Sequence, residues 1–387
     1  MKKTTAMRIG FVSIHPAPYR DPFFNRLAQR PEVALEVYTF LKQDRHHDFW
    51  KLPPPEYPNT YLPCLEFAPA FFKYQWSVLR LVLGGGHDLY VFPGFLIRAS
   101  VTGMLVCAII GKPYAYNADS VEDGPAQRGI VGRLRHFLIS RASLLFVPGK
   151  ASEAYFHERH GVPRDRICHG CYAMDAARIE ERLAAARGRR AAIRRDLGIG
   201  DSDTMFLMVA NMIKGRRYPV TAAGFLEMAK RHPGVRFVMV GSGEDFETMN
   251  RLAAEHPELV VKRGCSFDEM LGLYGAADVY VHGGKEPAST ALVIGALAKL
   301  PLLSSFAVGH AWDCLVDGVT GIVVKDHTSA ADWAAGFERL MAARGDWPAF
   351  GQAAREAARA LEVEPSVDAF VHSVAAALGR PEVATTT

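Results

Sequence analysis

The chain of 387 residues is 49% apolar and 22% charged, with a formal net charge of +4, and this length exceeds what one hydrophobic core usually fills, which points to two domains. The composition excludes a disordered or fibrous chain, and the near-neutral balance excludes a protein that grips nucleic acid through a broad basic field. No run approaches the roughly 20 apolar residues of a membrane span, and Met1–Ala6 is basic without the apolar stretch of a secretory signal, so a cytoplasmic protein is expected.

Short runs of Val, Ile, Leu and Phe alternate with longer helical patterns, the form of repeated strand–helix–strand units around buried parallel sheets. The first series predicts strands at Arg8–Ser13, Leu35–Phe40, Asp88–Phe92, Pro113–Tyr116 and Leu144–Pro148, with helices such as Pro22–Gln29 and Ala99–Ile110 between them. Pro53-Pro54-Pro55-Glu56-Tyr57-Pro58 fits neither helix nor inner strand and predicts a surface loop. A charged helical stretch, Ala176–Leu197, precedes a second series with strands at Thr204–Ala210, Arg236–Val240, Leu259–Val261, Asp278–His282, Leu300–Ser304 and Gly321–Val324. Amphipathic stretches Ala330–Ala343 and Ser366–Leu378 close the chain as helices, and Ala384–Thr387 reads as a frayed tail. The restart predicts two doubly wound domains, residues 1–180 and 181–362, with residues 363–387 as a returning helix and tail, and a cleft at the carboxyl ends of both sheets.

Charge divides unevenly between the halves. Residues 1–175 hold 21 Lys and Arg against 15 Asp and Glu, whereas the remainder holds 24 against 26, so +6 stands beside −2. A modest positive field of this kind suits an anionic membrane surface or a phosphorylated acceptor, or is ordinary surface variation. The stretches Phe71-Phe72-Lys73-Tyr74-Gln75-Trp76 with Arg80, and Arg133-Leu134-Arg135-His136-Phe137 with Arg141, fit either contact with anionic lipid or helix packing within the domain. Six scattered cysteines read as reduced core residues; Cys168-His169-Gly170-Cys171 has metal-pair spacing but no second pair to complete a four-ligand site, so no metal is expected.

Three segments of the second half carry the chemistry. Val240-Gly241-Ser242-Gly243-Glu244 is a glycine turn between strand and helix, where backbone amides can meet a phosphate or ribose. Val209-Ala210-Asn211-Met212-Ile213-Lys214-Gly215-Arg216-Arg217 ends a strand with three cations in four residues, placed for a diphosphate. Val281-His282-Gly283-Gly284-Lys285-Glu286-Pro287-Ala288-Ser289-Thr290 ends another strand, runs through a glycine loop and opens a helix that leads to Leu300-Pro301.

The order strand, glycine turn, Glu-Pro, helix, Leu-Pro, strand, then Gly309, Asp313, Leu315-Val316, Asp317-Gly318 and Thr320-Gly321, resembles the donor domain of glycosyltransferase family 4 over roughly residues 204–330. The resemblance implies the GT-B fold, two Rossmann-like domains with an interdomain cleft, and metal-independent transfer of a sugar, with retention, from a UDP- or GDP-type nucleotide sugar to a saccharide or lipid-linked acceptor. It implies no cofactor. Glu286 matches the family's carboxylate beside the transferred sugar, with Lys285, Pro287, Ala288 and Ser289 around it. Ile294 stands where a second, ribose-holding glutamate is usual.

Asn211 and Arg216 fall at the family's two phosphate-binding positions, with Lys214 compensating for the lost cation, and Cys265, Ser266 and Phe267 fall in the base-binding loop. On the acceptor side, Asn117 and Asp119 occupy the place of a usual histidine, and His15, Tyr19 and Arg20 follow the first strand; His15 reads equally as a cap of the neighbouring helix. The departures at Ile294, Asn211 and Asn117 leave two other readings: a non-catalytic partner of an active transferase, or a GT-B sugar-nucleotide epimerase.

Overall fold

The computed structural model describes residues 6–17, 20–42, 55–64, 73–95, 97–122 and 129–380. The chain divides into two units: unit 1 is Met1–Met174 with Leu361–Thr387, and unit 2 is Asp175–Ala360.

Unit 1 begins β1 (Met7–Ser13), α1 (Asp21–Ala28), β2 (Val33–Thr39), β3 (Asn59–Tyr61), α2 (Gln75–Gly84) and β4 (Leu89–Pro93). It continues through α3 (Arg98–Ile110), β5 (Tyr114–Asn117), α4 (Gly129–Arg141), β6 (Leu144–Val147), α5 (Lys150–His160) and β7 (Ile167–His169). Among the described residues its seven strands are parallel in the order β3-β2-β1-β4-β5-β6-β7. The strands read as unbroken apolar runs because both faces are covered: all five residues of β4 and all four of β6 are buried.

Unit 2 opens with α6 (Ala176–Arg187), α7 (Arg190–Asp196), β8 (Thr204–Val209), α8 (Tyr218–Ala229), β9 (Val235–Val240), α9 (Phe246–Glu255) and β10 (Leu259–Lys262). There follow α10 (Phe267–Ala276), β11 (Val279–His282), α11 (Thr290–Leu297), β12 (Leu302–Ser304), α12 (Ala311–Cys314), β13 (Gly321–Val323), α13 (Ala330–Ala342) and α14 (Trp347–Ala357). The sheet is parallel in the order β10-β9-β8-β11-β12-β13, and Phe206, Phe225, Phe237 and Phe337 meet edge-on or tilted within its core, beside the buried Trp333. In each sheet the strand order reverses once, between β1 and β4 and between β8 and β11, and loops leaving the carboxyl ends at such a point form a crevice.

The last helix, α15 (Val363–Ala377), returns to unit 1. Its Phe370 lies 4.8 Å from the Phe146 ring and 5.5 Å from that of Phe23, and Val367, Val371 and Val374 join the same buried cluster as Phe11, Phe24 and Leu27. The Met174 and Val363 amides exchange hydrogen bonds with the Leu361 and Met174 carbonyls, joining the departing and returning chain.

Differences from the sequence reading are local. The stretch predicted as continuous from Ala176 to Leu197 breaks at Gly188-Arg189 into α6 and α7. The three-residue edge strands β3 and β7 were not expected, being too short to show a pattern. Strand β12 starts at Leu302 and not Leu300, after Pro301, which lacks the donor a ladder requires. Part of the triple-proline loop and the Ala384–Thr387 tail lie outside the described residues.

Candidate functional site

The loops leaving β8 and β11 bring Arg216, His282 and Glu286 together at the switch point of unit 2. The Glu286 carboxylate lies 2.5 Å from the Arg216 guanidinium through Oε2 and 2.5 Å from His282 Nε2 through Oε1. The Glu286 side chain is 11% exposed and that of Arg216 18%, so the pair is largely shielded from solvent. Burial alone pushes the carboxyl's pKa up; the charge and hydrogen bond of His282, then the charge of Arg216 and a hydrogen bond from Ser289, overcome it and hold it at about 2. Glu286 is therefore a carboxylate at any physiological pH.

The scaffold beneath fixes this group. His282 is buried, and its Nδ1 stands 2.9 Å from the Tyr280 hydroxyl, which donates to the Val209 carbonyl at 3.3 Å. Tyr280 in turn stacks on Tyr274, and burial pushes both phenols well above their ordinary value, keeping them neutral. The Glu286 backbone pairs with the chain at Ala307–Gly309 through its N–H and its carbonyl, so carboxylate and loop are positioned from both sides.

Glycine allows the loops to meet. Gly284 has φ +77°, and a Cβ there would lie 2.2 Å from the Gly215 carbonyl oxygen. The Lys285 amide donates to that same carbonyl, and the Lys285 carbonyl accepts from Arg216, which seats the guanidinium. The Nε of Arg216 is buried with no acceptor among the described residues, a donor left for an incoming anion. Beside it Arg217 is held at φ +54°, an uncommon left-handed conformation for a side-chain-bearing residue.

The other predicted donor-side residues divide. Lys214 is exposed on the same loop, and its amide donates to the Glu244 carboxylate at 2.8 Å; Asn211 is also exposed. Lys285 is exposed, whereas Pro287 and Ala288 are half-buried. Ser289 is buried as the N-cap of α11, accepting from the Leu292 amide at 3.2 Å, with its hydroxyl 3.4 Å from His282 Nε2. The expectation for Gly241 is corrected: its amide donates to the Lys262 carbonyl within the sheet and is not free for a phosphate, and a Cβ there would lie 2.0 Å from the Ala210 oxygen. Gly243, at φ +144°, likewise sits against the Met212 carbonyl, so both glycines serve close backbone packing. The Ser266 hydroxyl and amide form a capping box with Glu269 at the start of α10. Cys265 is half-buried, its thiol pushed up by that burial, and Phe267 opens α10.

In unit 1, Asn117 ends β5 and its carbonyl accepts from the Gly94 amide at 2.7 Å, while Asp119 accepts from the Tyr172 hydroxyl at 3.1 Å. His15 is buried and does not cap α1; its Nδ1 lies 2.7 Å from the Pro16 carbonyl, and its own carbonyl accepts from Arg20 at 3.3 Å. Tyr19 lies outside the described residues. Cys168 and Cys171 are buried in the unit 1 core, and burial pushes the Cys168 thiol up to about 12. Among the described residues no group of three or more His, Cys, Asp or Glu could hold a metal ion.

Sequence reasoning missed His282 and His310. A lone histidine ending an apolar strand four residues before Glu286 was the available signal for the first. His310 is buried, its Nδ1 accepts from the Ser289 amide at 2.9 Å, and its Nε2 is buried without a partner among the described residues. No local pattern marked it.

Two parallel α/β units of this kind, each with one switch point, define the GT-B fold of nucleotide-dependent transferases. Residues 189–357, which make up most of unit 2, match the family model described as glycosyl transferases group 1. No curated protein matches the chain. Among solved structures, the chain is similar in fold to Anabaena Alr3699/HepE in complex with UDP, with 16% identity over 96% of this chain and 100% of that one at a TM-score of 0.73. A glycosyltransferase from Rickettsia africae gives 0.74 with 11% identity over 99% and 100% of the two chains. Sucrose-phosphate synthase from Thermosynechococcus elongatus gives 0.67 with 15% identity over 93% and 96%. Among the described residues no helix is long and apolar enough to cross a membrane.

Proposed function

We propose that the chain transfers a sugar from a nucleoside-diphosphate sugar to an acceptor hydroxyl, with retention and without a divalent ion. The observation that carries this reading is the largely shielded Arg216–Glu286–His282 group at the switch point of the unit that the glycosyl transferases group 1 model matches. Solved structures of the similar Anabaena protein are complexes with UDP and with UDP-glucose, which favours a nucleotide sugar, of hexose type, as donor here.

In this reading the unpaired Nε of Arg216 and the exposed Lys214 bind the diphosphate and offset the charge that develops as it leaves. Glu286, kept anionic by its neighbours, binds donor-sugar hydroxyls and stabilises the positive charge at the anomeric carbon. The bond from that carbon to the diphosphate oxygen breaks, the acceptor oxygen bonds to the carbon on the same face, and the acceptor proton passes to a phosphate oxygen or to Asp119. Asn117 and Asp119 of unit 1 serve acceptor recognition, and polysaccharide or glycolipid assembly is the process such a reaction serves.

Transfer assays with a panel of UDP- and GDP-sugars test this. Arg216→Ala and Glu286→Gln should each lower kcat about a hundredfold or more, as removal of one charge-stabilising group does; unchanged rates in both would refute the assignment. One observation favours the non-catalytic alternative: Ile294 is buried in α11, so no carboxylate holds a ribose from there. Calorimetry separates the two, because a scaffold binds none of the nucleotide sugars.

A further inference from the structure

His310 is a buried imidazole that the reaction proposed above leaves unused. The segment carrying it lies along the Glu286 loop: the Glu286 amide donates to the Ala307 carbonyl at 3.2 Å, and the Gly309 amide donates to the Glu286 carbonyl at 2.8 Å. A Cβ at position 309 would lie 1.6 Å from the Pro287 carbonyl oxygen, so only glycine lets the two backbones approach this closely. The next residue, His310, is thereby set against the start of α11. Its own carbonyl accepts from the Asp313 and Cys314 amides at 3.1 and 3.0 Å, which ties its backbone to the first turn of α12.

One contact orients the ring and fixes its tautomer. The Ser289 amide donates to Nδ1 at 2.9 Å. A backbone N–H can only donate, so Nδ1 presents its lone pair and the ring proton resides on Nε2. That Nε2–H is buried and meets no acceptor among the described residues. An unmet buried donor destabilises a fold, and beside a site it points to a ligand that meets it.

The identity of that ligand group follows from what surrounds the same short segment. The Glu286 carboxylate has two sides: Oε2 faces the Arg216 guanidinium, whereas Oε1 faces His282, whose Nε2 is also 3.4 Å from the Ser289 hydroxyl. The cationic side suits a phosphate. On the Ser289 side the segment offers an ionised carboxylate as acceptor and the uncharged His310 Nε2–H as donor. A sugar hydroxyl donates and accepts at once and so satisfies both; a phosphate oxygen only accepts, and a carboxylate repels it.

We propose that His310 binds the transferred sugar, its Nε2–H donating to a hydroxyl oxygen whose own proton is directed at Glu286, and that it thereby takes part in selecting the sugar. This rests on the sugar-transfer reading of unit 2. Calorimetry of the full chain with UDP, GDP and a panel of their sugars tests it. The quantity read is the affinity for the best-bound sugar nucleotide divided by that for its free nucleoside diphosphate, which isolates the sugar contacts.

His310→Asn places Oδ1 where Nδ1 was, keeping an acceptor for the Ser289 amide, and leaves nothing at Nε2. It should lower the ratio about tenfold, the loss of one hydrogen bond to a substrate group, with the affinity for the free diphosphate unmoved. An unchanged ratio in folded His310→Asn, or affinity for the free diphosphate that falls in parallel, overturns the proposal and leaves the transfer reading standing. Failure of the parent chain to bind any sugar nucleotide sinks the transfer reading itself, and this assignment with it. Should His310→Asn fail to fold, His310→Gln decides, because its amide N–H reaches the Nε2 position: a ratio kept at the parental value supports the proposal, and a ratio lost overturns it.

Discussion

Glu286→Gln removes one charge and almost no volume, so its effect isolates the electrostatics of the site. Holding this carboxyl at about 2 against an ordinary 4.5 amounts to roughly 3 kcal/mol of native-state stabilisation. Because the folded value is the depressed one, that contribution is fully present above pH 4.5 and is lost as the pH falls through about 2. At pH 7 the Gln variant should be less stable than the parent by roughly 2–3 kcal/mol, since Arg216 and His282 remain shielded without their counter-charge. The gap should close as the pH is lowered from 5 toward 2. Tryptophan emission during urea unfolding reads it, because Trp333 and Trp347 are buried in unit 2. Equal stability at neutral pH, or a gap that does not change with pH, would refute the reasoning.

Two further perturbations probe the scaffold. Gly284→Ala places a Cβ against the Gly215 carbonyl at a positive φ, and should lower the unit 2 transition by roughly 2–4 kcal/mol, read by thermal unfolding, while weakening nucleotide binding as the Arg216 loop shifts. Phe370→Ala opens a cavity among Phe11, Phe23 and Phe146 and should cost unit 1 about 3–5 kcal/mol; calorimetry should show the unit 1 transition falling while that of unit 2 stays in place.

The sheets were legible because strands covered on both faces must be apolar along their whole length, as Leu144–Val147 is, and glycine turns punctuate them. Glu286 and Arg216 were legible because charged residues at strand ends have few structural uses. Side-chain pairing was not. Nothing local says that Arg216 meets Glu286 and not solvent, since that contact arises only when β8 and β11 become neighbours, whereas His282 lies four residues before the same carboxylate and was within reach of a local reading. At Gly241 the sequence could not tell a glycine that admits a ligand from one that admits another strand's carbonyl, because the two look alike in one dimension. Ser266 was read by its place in a loop, although Ser266-Phe267-Asp268-Glu269 already spells a capping box.

The return of α15 bears on how the protein is made. During synthesis Phe370 and its neighbouring valines leave the ribosome after all of Asp175–Ala360, so the N-terminal sheet waits with Phe11, Phe23 and Phe146 incompletely covered until α15 has emerged. Unit 2, contiguous in sequence, has everything it requires earlier. The usual order of vectorial folding, first domain first, is thereby inverted, and the nascent chain exposes an aromatic surface throughout the synthesis of unit 2, where a holding chaperone has the greatest effect on yield.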